Sequence, residues 1–247
     1  MNSIVLCEGS TDYVLLQYYM RTAHKWIDDT KKQKNILRMP NQKSRNLIKN
    51  SDILTIMAVG GCSQFEKGLN MVLEKNQLSP PDNLNVYSKI IIVADRDEID
   101  TEEKFILKLK KILEIYDVKY DFSLENNLWI KCSMKTKMGL LINFHILLLI
   151  IPFEEKGAME TFLLNAIKNK DSYDKDIIEK CNNLVDGIDP QKKYLTSRRY
   201  ITKAKFDTYF SIRTPVEQYV ERQNILKNVK WEEYSNIQTA FKKLGEL

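Results

Sequence analysis

The chain of 247 residues contains few of the side chains that build zinc or disulfide sites, with four cysteines and two histidines. Cys7, Cys62, Cys132 and Cys181 form no C-x-x-C pair, and two histidines add little toward a zinc site. A chain of this length without a disulfide framework or a signal peptide is typical of a reducing, intracellular compartment. We therefore expect a cytoplasmic protein with free thiols.

The chain also lacks an apolar run long enough for a membrane helix. Its most apolar segment, GLLINFHILLLIIPF at Gly139–Phe153, is shorter than the roughly 20 residues that such a helix needs, and it contains Asn143 and His145. A run rich in Leu and Ile that stops at Pro152 predicts a central strand buried on both faces, with His145 as a core residue. We expect no membrane partner.

Two stretches contain no acidic residue at all. KKQKNILRMPNQKSRNLIKNS, at Lys31–Ser51, carries seven Lys or Arg, and PQKKYLTSRRYITKAKF, at Pro190–Phe206, carries six, with Tyr194 and Tyr200 among them. The formal net charge is only +5, so the uneven distribution says more about partners than the total does. The two stretches either hold the phosphates of a nucleic acid or are solvated faces of a lysine-rich chain.

Apolar strands alternate with helices through the first half of the chain. The predicted strands are SIVLC, ILTIMAV and KIIIVAD, and the helices that follow them begin near Ser10, Ser63 and Thr101. The basic stretch up to about Asn50 is expected to be an irregular insertion. This order predicts an α/β fold with a mostly parallel sheet flanked by helices.

Acidic residues follow two of the predicted strands. Glu8 comes directly after the first strand, and Asp95 and Asp97 end the third strand in VADRDE. Because the carboxyl ends of parallel strands lie along one edge of a sheet, these three carboxylates are expected to converge. Such a cluster carries either raised pKa values or a cation, and oxygen ligands with few His or Cys favour Mg²⁺ or Mn²⁺.

VLCEGSTDYVLL and IIIVADRDE, with ILTIMAVGG between them, resemble the Toprim domain of topoisomerases, bacterial primases, overcoming-lysogenization-defect nucleases and the recombination mediator RecR. The resemblance covers about the first 155 residues. It implies that Glu8 is a general acid or base or a shared metal ligand, and that Asp95 and Asp97 hold Mg²⁺. It also implies that Gly9 lets the backbone approach the substrate. Asp12 matches an acidic position in the family's first helix, although simple helix capping explains it equally well.

The remaining residues, 156–247, are predicted to form a mainly helical C-terminal extension packed on the 1–155 core, whose basic insertion lies near 30–50. Segments of this tail are similar to uncharacterised bacterial Toprim-related proteins. Glu160, in EKGAMETFLLNAI, matches a further acid that can join a second metal in the nuclease branch. Its alternative role is that of an ordinary acid in the first turn of a helix.

Strand-end glycines, one acid and the second basic stretch supply the predicted substrate-binding residues. These are Gly9, Asp12, Gly60, Gly61, Lys192, Lys193, Arg198, Arg199, Lys203 and Lys205.

A divalent-metal-dependent nuclease acting on DNA or RNA is the leading hypothesis, with Glu8, Asp95 and Asp97 as catalytic residues. In-line cleavage of a phosphodiester needs charge stabilisation that bound cations supply. A nucleotidyl transferase or topoisomerase needs further modules, for which 247 residues leave little room. A non-catalytic Toprim module that binds nucleic acid or assembles with a partner protein or further copies of itself stays open. So does a structural acidic cluster in an unrelated α/β protein.

Overall fold

The computed structural model describes residues 1–30, 37–80, 85–121, 123–215 and 222–247. The start of the first basic stretch, residues 31–36, therefore lies outside the described residues.

Eight strands in the described residues form one sheet. They are β1 (Asn2–Cys7), β2 (Ile27–Asp28), β3 (Ser44–Lys49), β4 (Asp52–Ala58), β5 (Tyr87–Asp95), β6 (Lys119–Tyr120), β7 (Trp129–Lys135) and β8 (Leu141–Ile151). Their order is β2-β3-β4-β1-β5-β8-β7-β6, and all except β3 and β7 run in one direction. The expected mostly parallel sheet of an α/β protein is confirmed.

The parallel centre of the sheet, β4-β1-β5-β8, consists of the most continuously apolar strands. Every residue of β1 from Ser3 to Cys7 is buried, which is typical of a strand covered on both faces. Cys7 pairs with Ala58 of β4 and with Val93 of β5, so the carboxyl ends of the three strands finish close together. The residues that follow β1 and β5 are therefore brought to the same edge.

Helices cover both faces of the sheet. They are α1 (Ser10–His24), α2 (Phe65–Gln77), α3 (Thr101–Ile115), α4 (Met159–Lys170), α5 (Ser172–Ile188), α6 (Arg198–Arg213), α7 (Arg222–Lys227) and α8 (Ser235–Ala240). Short 3-10 turns lie at Cys62–Gln64, Trp231–Glu233 and Lys242–Glu246. Helices α2 and α3 share one hydrophobic core with the sheet, and α1 shares the other with α4 to α8.

Alternate residues of the central strands supply these two cores. Along β5, Ile91 and Val93 belong to the core with α1, while Ile90 and Ile92 belong to the core with α2 and α3. Because side chains alternate between the faces of a strand, a strand covered on both sides has to be apolar throughout.

The sequence predicts an irregular basic stretch up to about Asn50, and this prediction is wrong for the last part of the stretch. Ser44–Lys49 forms β3, antiparallel to β4, with Lys49 paired to Asp52. The two residues between them make a hairpin turn in which Asn50 has a φ of 56°. Asn is among the residues that tolerate a positive φ in such turns. Leu47 of β3 is fully buried.

The most apolar segment forms an internal strand, as predicted, but it is buried on both faces only from Ile146 onward, so His145 is not a full core residue. Strand β8 lies between β5 and β7 and ends directly before Pro152. His145 in this strand is half-buried, with its ring edge-on to Trp129 at a centroid distance of 6.4 Å. Among the helices of the described residues, none has the length and apolar character required to cross a membrane.

The chain after residue 156 is mainly helical and packs on the face of the sheet that α1 covers. Leu163, Phe210 and Trp231 from this part lie in one continuous core with Leu16 of α1 and Leu149 of β8. The C-terminal helices therefore bury the apolar face that α1 and the sheet would otherwise expose to water.

Candidate functional site

A polar cavity of about 450 Å³ lies at the carboxyl ends of β1 and β5. Its walls come from the turns that follow β1, β4 and β5 and from the first turns of α4 and α6. The sequence-predicted residues that line it are Glu8, Gly9, Asp12, Gly60, Gly61, Asp95, Asp97, Glu160, Arg198, Arg199 and Lys203.

The backbone of Glu8 joins the β1 and β4 sides of the cavity. Its carbonyl oxygen accepts hydrogen bonds from the backbone N–H groups of Gly60 and Gly61, each at 3.0 Å. Both glycines have positive φ, 92° and 119°, a conformation that side chains with a Cβ rarely adopt. The Gly-Gly turn therefore allows the chain to pass directly over the end of β1.

The side chain of Glu8 has an uncompensated oxygen. Its Oε2 is buried and has no hydrogen-bond partner among the described residues. Burial, followed by repulsion from the Asp97 carboxylate, raises the pKa of Glu8, and the backbone amides of Asp95 and Cys62 oppose that rise. This carboxyl group therefore keeps a proton to higher pH than an ordinary glutamate.

Asp12 lies in the first turn of α1 and lines the cavity. Its Oδ2 accepts a hydrogen bond from the Gly9 backbone N–H at 2.8 Å, so the helix-capping interpretation of this residue holds. Burial, with Glu160 and Glu8 nearby, raises the pKa of Asp12 to about 7, against the effect of the Gly9 N–H and of Lys203. Asp12 thus caps the helix and also belongs to a group of interacting acids.

Asp95 is the last residue of β5 and is held by α4. Its Oδ1 accepts a hydrogen bond from the Met159 backbone N–H at 2.8 Å. Burial and the carboxylates of Asp12, Glu8 and Glu160 raise the pKa of Asp95 well above its usual range. The carboxyl groups of β1, β5, α1 and α4 therefore influence one another across a single cavity.

The D-x-D segment divides its side chains between two directions. Asp95 and Asp97 line the cavity, while the buried Arg96 donates from Nε to the Pro152 carbonyl at 2.7 Å and pairs with Glu102 at 2.5 Å. This is the alternation expected of an extended segment.

Glu160 lies in the first turn of α4, as its sequence position predicts. It is 5% exposed and accepts a hydrogen bond from the Thr11 hydroxyl at 3.2 Å. The bond links the first turns of α1 and α4 across the cavity.

Arg198, the first residue of α6, binds the exposed acid of the cluster. Its Nη2 lies 2.6 Å from Asp97 Oδ1, and its Nη1 donates to the Asp97 carbonyl and lies 3.5 Å from Glu98 Oε1. The pair is solvent-exposed, with 43% and 54% of the Arg198 and Asp97 side chains accessible. Such pairs contribute about 1 kcal/mol or less to stability.

The cavity carries more acidic than basic side chains. Five carboxylates face three cationic groups, and these cations, Arg198, Arg199 and Lys203, all come from the first two turns of α6. Among the described residues, no group of three or more His, Cys, Asp or Glu side chains is arranged so that it could hold a metal ion. The acidic side chains at the strand ends and in α1 and α4 therefore lie opposite the basic first two turns of α6.

Three predicted substrate-binding lysines lie away from the cavity lining. Lys205 pairs with Asp186 of α5 at 2.7 Å, and Lys193 lies over the ring of Tyr194 at 5.1 Å. Lys192 is exposed in the loop before α6.

The sequence analysis missed five further lining residues, which are Ser10, Thr11, Gln42, Ala158 and Thr202. Ser10 and Thr11 adjoin Glu8 in sequence, so the strand-end argument could have included them. Gln42 and Thr202 lie within the two basic stretches, but they are uncharged, and charge was the only signal used to select residues there.

The fold and site define an α/β protein with an acidic cavity at the carboxyl edge of its sheet. The chain belongs to DUF3226, a family of proteins of unknown function, which it matches over residues 2–245.

Three solved structures resemble the chain at low identity. A hypothetical protein of Pyrococcus horikoshii OT3 is 15% identical, with 98% of each chain covered and a TM-score of 0.49. A lactoylglutathione lyase of Agrobacterium tumefaciens is 8% identical over 59% of this chain and 91% of its own, with a TM-score of 0.17. A glyoxalase family protein of Enterococcus faecalis is 10% identical over 58% and 94%, with a TM-score of 0.19. No curated protein matches the chain significantly.

Proposed function

We propose that the protein is a divalent-metal-dependent nuclease that cleaves phosphodiester bonds of DNA or RNA in this cavity. The observation that carries the proposal is the convergence of carboxylates from β1, β5, α1 and α4 opposite the basic first turns of α6. Carboxylates suit a cation and basic side chains suit a phosphate, so one cavity has groups for both. The Toprim resemblance of the same strand ends agrees with this chemistry.

The acidic residues fit a divalent cation in their chemistry. Carboxylate oxygens are the preferred ligands of Mg²⁺ and Mn²⁺, and the buried Oε2 of Glu8 has no hydrogen-bond partner among the described residues. Glu8, Asp95 and Asp97 would hold one ion once their carboxylates draw closer together than in this structure, and Glu160 would contribute to a second. Such an ion, when bound, stabilises the charge on the attacking and leaving oxygens of the phosphodiester.

The remaining chemistry falls to the chain's own side chains. Glu8 is suited to accept or return a proton, because its raised pKa brings it closer to neutral pH than an ordinary glutamate. Arg199 and Lys203 face the acids from α6 and would hold the phosphate oxygens. Arg198 would either leave Asp97 and bind the substrate, or stay paired with Asp97 while that carboxylate also binds the cation.

The Arg198–Asp97 pair also favours a second candidate, a non-catalytic module that binds nucleic acid or assembles with a partner protein. A guanidinium group on Asp97 neutralises one of the proposed metal ligands without any metal. In that case the acids would position α6, and α6 would bind the nucleic acid.

A cleavage assay beside a binding assay separates the two candidates. Wild type, Asp95→Ala and Glu8→Gln are incubated with labelled single- and double-stranded DNA and RNA in Mg²⁺, Mn²⁺ or EDTA. We expect cleavage by wild type that needs a divalent ion, and a loss of more than about a hundredfold in rate in both variants. Binding should survive, because the basic residues of α6 are unchanged. Glu154→Gln, at an exposed position outside the cavity lining, is the matched control.

Circular dichroism confirms that each variant is folded. Wild-type protein that binds nucleic acid but cuts none with any divalent ion would favour the binding module. Variants that cut as fast as wild type would place the chemistry outside this cavity.

A further inference from the structure

A second pocket, of about 230 Å³, lies beside α1 and is lined mainly by basic side chains. We call it the α1 pocket, and its polar lining residues are Tyr13, Gln17, Arg21, Lys43, Arg45 and Lys227. Tyr13, Gln17 and Arg21 are spaced four residues apart, which places them on one face of α1. Arg45 comes from β3 and Lys227 from the end of α7, so three separate elements contribute positive charge.

The positive charge of the α1 pocket is only partly neutralised. Arg21 and Arg45 share one carboxylate, that of Asp28, at 2.7 and 3.6 Å. Lys43 and Lys227 are exposed, and neither makes an ion pair within the part of the chain that the structure describes. Among the described residues, four cationic groups against the one carboxylate that pairs with them make this pocket suited to an anion. The fork of a guanidinium group matches the oxygens of a phosphate.

The α1 pocket and the acidic cavity adjoin each other at two places in the chain. Asp12 lines the cavity and Tyr13 lines the pocket, while Gln42 lines the cavity and Lys43 lines the pocket. Because neighbouring residues line the two cavities, a ligand that extends from the acidic cavity along α1 would reach the basic pocket. A chain of linked phosphates is such a ligand, because its charges repeat along its length.

We propose that the α1 pocket binds a backbone phosphate of the same nucleic acid strand whose reacting phosphodiester occupies the acidic cavity. The inference rests on the proposed function for the identity of its ligand. It adds a substrate requirement, since a strand has to extend beyond the reacting bond to reach Lys43 and Lys227. A ligand too short to span both cavities occupies only one of them and gains no affinity from the other.

The test measures binding as a function of salt in EDTA, without cleavage. Wild type, the double variant Lys43→Ala/Lys227→Ala and a control are titrated with a dinucleotide and with longer single strands of DNA and RNA. The control, Lys131→Ala/Lys137→Ala, removes two exposed lysines near the opposite edge of the sheet. Both variants lose two positive charges, so the comparison isolates the position of the charge from its amount.

We expect the double variant to bind long strands with a weaker salt dependence. Each lost phosphate contact on a single strand lowers the slope of log K against log salt by about 0.7, so the fall in affinity between about 50 and 200 mM salt shrinks about 2.6-fold. The control should keep the wild-type slope. The dinucleotide, which cannot span both cavities, should show a slope of no more than one phosphate contact in every protein. Restoring the charges with Lys43→Arg/Lys227→Arg should restore the slope.

The outcomes separate this inference from the proposed nuclease. Equal slopes in wild type and in Lys43→Ala/Lys227→Ala would overturn the inference, even if the cleavage assay supports the nuclease. Equal losses in the double variant and the control would overturn it as well, because net charge alone would explain the binding. A selective loss of slope in a protein that never cleaves would support the pocket and overturn the nuclease.

Discussion

Replacing Asp12 by Asn should stabilise the folded protein at neutral and alkaline pH. The Asp12 carboxyl group is buried, and its burial together with Glu160 and Glu8 raises its pKa to about 7 from an ordinary value of 3.8. Asn keeps an oxygen that can accept the hydrogen bond from Gly9 and cannot become charged. The substitution therefore removes a buried charge while preserving the helix cap.

The sign and size of the effect come from proton linkage. Between about pH 4 and pH 7 the unfolded chain has lost the Asp12 proton while the folded protein retains it, so wild-type stability falls as pH rises through this window. The difference between a pKa of about 7 and one of 3.8 corresponds to about 4 kcal/mol, at about 1.4 kcal/mol for each pKa unit. The penalty is absent below about pH 4 and complete above about pH 7. The advantage of Asp12→Asn should grow across the same window.

The measurement is urea unfolding followed by circular dichroism in EDTA at intervals from about pH 4 to pH 8. Wild type is compared with Asp12→Asn and with Glu154→Gln, which removes an exposed carboxylate outside the cavity lining. Mg²⁺ should narrow the difference between wild type and Asp12→Asn if it binds these acids, because it favours their charged forms. The reasoning is refuted if Asp12→Asn follows the wild-type pH dependence, or if it is less stable than wild type at about pH 8.

Two further substitutions test the walls of the cavity. Arg198→Ala should change the free energy of unfolding by less than about 1 kcal/mol, because its pair with Asp97 is exposed, but it should tighten Mg²⁺ binding in calorimetric titrations relative to Arg198→Lys. Unchanged Mg²⁺ affinity would show that Arg198 does not compete with a cation. Gly60→Ala should destabilise the protein by about 1–3 kcal/mol in urea unfolding, because φ is 92° and its Cβ would lie 2.5 Å from Gln42 Nε2. Gly187→Ala, with no atom near its Cβ, is the control, and an equal response of both variants would contradict the argument.

The centre of the fold was predictable from the sequence, and its edges were less so. Strands β1, β4 and β5 and the second half of β8 contain continuous apolar runs, because both of their faces are covered there. Strand β3 lies one strand in from the edge of the sheet and carries Arg45 and Lys49, so its polar residues hide the strand pattern. In β7, buried Ile130, Cys132 and Met134 alternate with more exposed residues, a signal of a half-covered strand that the sequence analysis did not use.

The acids of the site were predictable because their position depends only on topology. Glu8 and Asp95 end adjacent parallel strands, and a parallel sheet brings such residues to one edge. Which residues of the second basic stretch reach the cavity was not predictable from the sequence. Arg198 reaches the cavity, whereas Lys205, seven residues further along α6, pairs with Asp186 of α5. That choice depends on how α6 packs against α5, which charge alone does not specify. The metal, the nuclease activity and the Toprim relationship stay predictions.

The helices after residue 156 determine the chemistry of the cavity as much as the strand ends do. The Met159 backbone N–H holds Asp95 across 64 residues of sequence, and Arg198 binds Asp97 across 101 residues. Without these helices the acids of β1 and β5 would face solvent, and burial, the largest cause of the raised pKa values of Glu8 and Asp95, would diminish. Their proton affinity and their opposing cations therefore have one origin, the packing of α4 and α6 against α1 and the sheet. The acidic residues have their unusual properties only where the C-terminal helices enclose them.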